Sequence, residues 1–136
     1  MEDEVILPFT IPSVYGGLAV AEGLAKLRRD GLLLECEVSD SLAGVLRSGL
    51  KRISIPLDAI ASVEVSRGWW STSLVLRLKT LTVVRELPGL RHGELTLQVR
   101  RKDRREAEHF ATVLEGYLTE AALDQLESGP EPGSSS

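Results

Sequence analysis

From Leu32 to Ser39 apolar and polar side chains alternate. Leu32, Leu34, Cys36 and Val38 fall on one side, and Leu33, Glu35, Glu37 and Ser39 on the other. A period of two sustained in this way predicts a half-buried strand. Leu18 to Arg28 precedes it as the first partner of a hairpin. Asp30-Gly31 supplies the turn, because glycine accepts positive φ without steric cost. That first strand alternates poorly, and Glu22-Gly23 within it predicts a bulge. A bend of this kind lets one strand serve two sheets.

The stretch Ile53 to Lys79 carries most of the architecture. Asp40 to Leu50 reads as a loop, after which Ile53, Ile55 and Leu57 alternate with polar neighbours and Pro56 stops the pairing. Leu57-Asp58-Ala59-Ile60 is expected to form one turn at a corner. Val63 and Val65 then face one side of a further strand, Arg67-Gly68-Trp69-Trp70 makes a hairpin, and Leu74, Leu76 and Leu78 return along the core. Thr80 to Leu87 reads as a sixth strand after a tight turn, or as a bulged continuation of the fifth. Pro88-Gly89 and His92-Gly93 bound a loop, and Leu95, Leu97 and Val99 alternate in a last strand.

A helix follows. Asp103 with Glu106 three residues on has the form of a capping box. Ala107, Phe110, Ala111, Leu114, Leu118 and Ala121 share one helical face, with the end expected near Glu127. Gly116 sits mid-helix at a cost of about 1 kcal/mol relative to alanine, which suggests close packing there.

Residues 1–17 contain Pro8, Pro12, Gly16 and Gly17 around Val5, Ile6, Leu7 and Phe9. Proline blocks regular ladder pairing, so an extended N-terminal arm is expected rather than a central strand. Its apolar side chains would pack on the domain or, alternatively, on a second copy. Residues 128–136, rich in Gly, Pro and Ser, read as a disordered tail.

Seven short strands followed by one amphipathic helix is the element order of the pleckstrin-homology-like (PH-like) barrel. ISIPLDAIASVEV resembles the strand–corner–strand signature of bacterial PH-like and GRAM-type domains, and GELTLQVRRKDRREAEHFATVLEGYL resembles their last strand and capping helix. The resemblance covers residues 18–127. It implies a mainly β fold of about seven antiparallel strands in two bent sheets, forming a partly open barrel. The C-terminal helix would plug the open end, with Phe110 and Leu114 as the plug.

The chain has 136 residues with 43% hydrophobic and 26% charged, enough for one domain with a proper core. No apolar run reaches the roughly 18 residues a membrane span needs. The start, MEDEVILPF, is acidic where a signal peptide would be basic, so a cytoplasmic protein is expected, at most peripheral at the inner membrane face. The net charge of −4 divides unevenly: −3 over residues 1–17, +5 over 18–102 and −6 over 103–136. A basic body between acidic ends permits an anionic partner, and equally describes simple neutralisation.

Catalytic chemistry finds little support. His92 in a loop and His109 beside Phe110 are the two histidines, and neither has neighbours suggesting a triad or a metal set. The single cysteine, Cys36, alternates with core leucines and reads as an inert buried thiol. Glu35 and Glu37 share an outward strand face as solvated carboxylates. Gly16-Gly17 precedes a strand, so no phosphate loop is present. No enzyme, cofactor or metal is expected.

Binding readings remain. Trp69-Trp70 is the conspicuous pair. Adjacent strand residues face opposite sides, so at least one indole is expected to pack and an outward one to anchor a partner. Phe9 in the arm is the other protein-contact candidate. A protein partner or a second copy is therefore expected, with a peptide in the groove beside the helix as one mode. The alternative, implied by the PH-like resemblance, is anionic lipid held by basic residues of the first hairpin, here Lys26, Arg28 and Arg29 around its turn, although Glu35 and Glu37 stand where the family pattern has bases and oppose a multiply charged headgroup. Arg100, Arg101, Lys102, Arg104 and Arg105 cluster at the strand–helix junction. With only 4% aromatic residues and no stacking platform, nucleic acid is disfavoured.

Overall fold

The computed structural model describes residues 4–14, 19–40, 47–79 and 93–128. Its strands are β1 (Val5–Val14), β2 (Ala19–Arg28), β3 (Gly31–Asp40), β4 (Arg47–Pro56), β5 (Ile60–Arg67), β6 (Ser71–Leu78) and β7 (Glu94–Arg100). One helix, α1 (Arg104–Ser128), closes the described chain. The seven strands form one antiparallel sheet in the order β4-β3-β2-β1-β7-β6-β5. The expected mainly β fold with a C-terminal helix is therefore present. The expected two sheets are instead one, and among the described residues β4 and β5 do not pair to close it into a barrel.

The largest departure concerns the N-terminal arm. Val5–Val14 is a strand inside the sheet, between β2 and β7. Leu7, Phe9 and Ile11 point into the core while Ile6 and Pro8 point out, an alternation the prolines obscured. Pro8 and Pro12 are four residues apart, so both missing N–H groups fall on the same edge of the strand. The ladder to β2 runs from Val5 to Ile11 without a break, whereas among the described residues β7 meets β1 at the one partner pair Thr10↔Gln98. One sparse edge accommodates both prolines. Pro12 also lies in the register irregularity between Ile11 and Val14, where a ladder donor is not required.

The bend expected at Glu22-Gly23 takes another form. β2 and β3 keep continuous register from Ala19↔Asp40 to Arg28↔Gly31, so there is no bulge. Gly23 instead allows two backbones to approach: a Cβ there would lie 1.8 Å from the Glu35 carbonyl oxygen. The strand that joins the two halves of the sheet is β1, not β2.

Elsewhere local chemistry and structure agree closely. Pro56 ends β4, and Leu57–Ala59 forms a single 3-10 turn at the corner into β5. Gly31 follows the β2–β3 turn at φ +155, where a Cβ would meet the Ile55 carbonyl oxygen at 2.6 Å. Residues 47–50, expected in a loop, already belong to β4. The expected strand at 80–87, the loop ending at His92 and the tail beyond Ser128 lie outside the described residues, as does the segment containing Gly16-Gly17.

A 3-10 turn, Arg101–Asp103, leads from β7 into α1. Ala107, Phe110, Ala111 and Leu114 are buried against the inner face of the sheet, with Phe110 and Leu114 fully enclosed. They meet Leu7, Leu34, Leu74, Leu76, Leu97 and their neighbours in one continuous core. Leu118 and Ala121 are only partly covered, and Leu123 and Leu126 are exposed, so the last turns of the helix leave the sheet. Gly116 faces open space rather than a close neighbour.

Candidate functional site

β5 ends the sheet, and among the described residues no strand pairs with its outer edge. The ladder to β6 defines which backbone groups are free. Gly68 donates its N–H to the Ser71 carbonyl at 2.9 Å. Stepping by two, Ser66 and Glu64 also direct their backbone groups at β6, where they pair with Ser73 and Val75. The N–H groups of Val63, Val65 and Arg67 therefore point to the outer edge.

α1 runs beside that edge and leaves a groove of about 800 Å³. Its floor is Val65 and Ala111, and its rim carries Glu64, Thr112 and Glu115. Arg67 and Glu108 form an ion pair across one end. The groove thus combines free backbone donors, a small apolar floor and a rim with two exposed carboxylates. A smaller hollow of about 380 Å³ lies on the outer face over β1, β2 and β7, between Glu22, Pro8 and Arg100. It offers no strand edge.

The other end of β5 is the hairpin tip. Trp69 and Trp70 are 86% and 85% exposed. The expectation that one indole packs is overturned, because both occupy the loop itself, beyond the last strand pair, where inward and outward faces no longer exist. The tip is tied to α1 on both flanks. Arg67 pairs with Glu108, and Arg104 donates to the Gly68 carbonyl and to the buried Thr72 hydroxyl, each at 3.0 Å.

The expected lipid residues are placed differently from the resemblance. Lys26, Arg28 and Arg29 flank the β2–β3 turn, which is the second hairpin once Val5–Val14 is counted as a strand. Each already has a carboxylate. Lys26 lies 2.9 Å from Glu35, Arg28 2.6 Å from Glu4 and Arg29 3.7 Å from Glu120, with Arg29 also 5.7 Å over the Tyr117 ring. Glu35 sits between Lys26 and Arg52, which lies 3.3 Å away. The Lys26 hydrogen bond holds its carboxyl below the ordinary range against a smaller opposing effect of burial. An anionic headgroup would have to displace these partners.

Phe9, expected as a contact residue, is 4% exposed and belongs to the core. Cys36 is buried, and burial pushes its thiol pKa up, away from the reactive thiolate. His109 is exposed on α1, while His92 lies outside the described residues. Among the described residues no three His, Cys, Asp or Glu side chains converge as a metal site, and no helix is long and apolar enough to cross a membrane.

No protein-family model, curated protein or solved structure matches this chain. Sequence reasoning had the groove beside the helix as a mode but not its residues. Val65, Glu64, Ala111, Thr112 and Glu115 carry no motif. Their shared place follows from β5 being last in the sheet, which depends on pairing between distant strands.

Proposed function

We propose that this chain is a non-catalytic module of PH-like architecture that captures an extended segment of a partner protein along β5. The observation that carries the reading is the open β5 edge lying beside α1. A strand added there would gain main-chain hydrogen bonds from Val63, Val65 and Arg67, the mode in which an exposed sheet edge recognises peptide. The small residues Val65 and Ala111 limit the apolar side chains that fit between strand and helix. Exposed Glu64 and Glu115 favour a basic segment, since rim charges mainly set partner choice and association rate. The element order and the strand order β4-β3-β2-β1-β7-β6-β5 support the PH-like part of the proposal.

A random peptide library selected against the intact chain tests it, followed by affinity measurements. Selected peptides should be extended and basic. Glu64→Lys with Glu115→Lys should weaken binding by about tenfold or more, and Thr112→Trp should block the groove. Light scattering at tens of micromolar distinguishes a second copy as the occupant: a dimer abolished by Thr112→Trp would assign the edge to self-association instead. Peptides that bind both variants as well as the parent would overturn the site.

A further inference from the structure

Between β5 and β6 lie Gly68, Trp69 and Trp70, and the two residues beyond the closing Gly68–Ser71 hydrogen bond are both tryptophan. Such loops usually carry glycine, asparagine or aspartate. Here two of the largest apolar side chains stand at a hairpin tip, 86% and 85% exposed. Isolated exposed apolar residues are ordinary. Two adjacent indoles on a tip held from both sides by Arg67–Glu108 and Arg104–Gly68 form a fixed apolar wedge.

The neighbouring charges select the surface that such a wedge would meet. Ser71 pairs with Arg100, so β7 ends beside the tip, and the chain continues there through Arg101 and Lys102 into α1. Over residues 67–72 and 100–108 there are six basic side chains against three acidic ones, Asp103, Glu106 and Glu108, in a chain whose net charge is −4. Arg67 and Arg104 hold the tip, and Glu108 is taken up by Arg67. Arg100, Arg101, Lys102 and Arg105 are exposed and form no ion pair among the described residues. Asp103 and Glu106 remain against these four bases, so the free charge around the wedge is net positive.

Indole rings settle at the headgroup level of a bilayer, and basic side chains are drawn to an anionic leaflet. A convex tip with its indoles at one point lacks the extended stacking groove that single-stranded nucleic acid requires. We propose that Trp69 and Trp70, with Arg100, Arg101, Lys102 and Arg105 around them, dock this chain on an anionic membrane surface. The wedge enters the interface and the bases contact the headgroups. The peptide site is read through Glu64, Thr112 and Glu115, none of which belongs to the wedge or its basic surround, so separate variants test the two proposals.

The chain contains two tryptophans, both in the wedge, so its tryptophan emission reports on this site alone. The intact protein is titrated with vesicles of phosphatidylcholine alone and with 20–40% phosphatidylserine, at roughly physiological salt and at about 0.5 M salt. Docking predicts a blue shift and protection from iodide quenching with the anionic vesicles, both diminished at high salt. Trp69→Ala with Trp70→Ala, read by co-sedimentation, should lower partitioning by at least about tenfold. Arg101→Glu with Lys102→Glu should lower it by at least about 25-fold, since each basic residue near the surface is worth about fivefold. Lys26→Ala, Arg28→Ala and Arg29→Ala together should leave it unchanged. No blue shift with anionic vesicles, equal binding to neutral ones, or loss of binding only with the Lys26, Arg28 and Arg29 changes would each overturn the proposal. A tip that instead binds peptides or oligonucleotides while ignoring vesicles would also overturn it.

Discussion

Arg104, the first residue of α1, donates from Nη2 to the Gly68 carbonyl at 3.0 Å and so fixes the β5–β6 hairpin to the helix. Its Nε donates to Thr72 Oγ1, also at 3.0 Å, and Thr72 is fully buried. Arg104→Ala should cost about 1–2 kcal/mol, because it removes two bonds and leaves a buried hydroxyl short of a donor. A urea midpoint lowered at constant slope is the expected outcome. Arg104→Lys should recover little of it, since an ammonium cannot reproduce the planar fork that spans both acceptors. An unchanged midpoint in Arg104→Ala would show that Arg104 does not help to hold the hairpin.

The two glycines singled out in the sequence should respond in opposite directions. Gly23→Ala drives a methyl into the β3 backbone at Glu35 and should destabilise by about 3 kcal/mol or more. Gly116→Ala adds a methyl to an exposed helical position with no atom within 4 Å, and should stabilise by roughly 1 kcal/mol. Thermal unfolding of the two variants checks both signs at once.

Phe110 and Leu114 are fully enclosed between α1 and the sheet. Leu114→Ala should cost about 2–5 kcal/mol through lost transfer energy and the cavity left behind. Leu114→Asp or Phe110→Asp would bury an unpaired carboxylate and should abolish soluble expression. A folded Leu114→Asp protein would contradict the packing of the helix.

Much of this architecture was legible because it is local. The alternation at Leu32–Val38, the Pro56 corner, the Leu95–Val99 strand and the Ala107–Leu114 stripe each depend on near neighbours, and each appears where its period places it. β1 was not legible in the same way. Pro8 and Pro12 argue against a central strand unless the neighbour on one edge contributes little pairing, and that neighbour, β7, lies some ninety residues along the chain. The groove was hidden for the same reason, since Val65 and Ala111 look like ordinary core positions until β5 is known to be an edge. Trp69 and Trp70 were conspicuous from the outset. Strand alternation predicted one packed indole, and that rule lapses in a two-residue loop.

The outer-face cluster of Glu35, Lys26 and Arg52 should make stability depend on pH with a definite sign. The Glu35 carboxyl is held below its ordinary range, first by the Lys26 hydrogen bond. A depressed folded value means the contribution is present above the unfolded value and is lost as pH falls through the folded one. Glu35→Gln should therefore melt below the parent at neutral pH, and the gap should close as pH falls below the ordinary carboxylate range. Because the groups are at the surface, the neutral-pH gap should be small and should shrink further with salt. A gap that widens on acidification would contradict the arrangement.

Residue-resolved amide hydrogen exchange along β5 tests the central claim most directly. In the free chain the amides of Val63, Val65 and Arg67, facing the open edge, should exchange much faster than those of Glu64 and Ser66, which are bonded to β6. Adding a peptide selected from the library should slow the first three to the rate of the second two, while Thr112→Trp should prevent that change. Equal protection of all five amides in the free chain, or protection appearing elsewhere when peptide binds, would contradict a partner strand on β5.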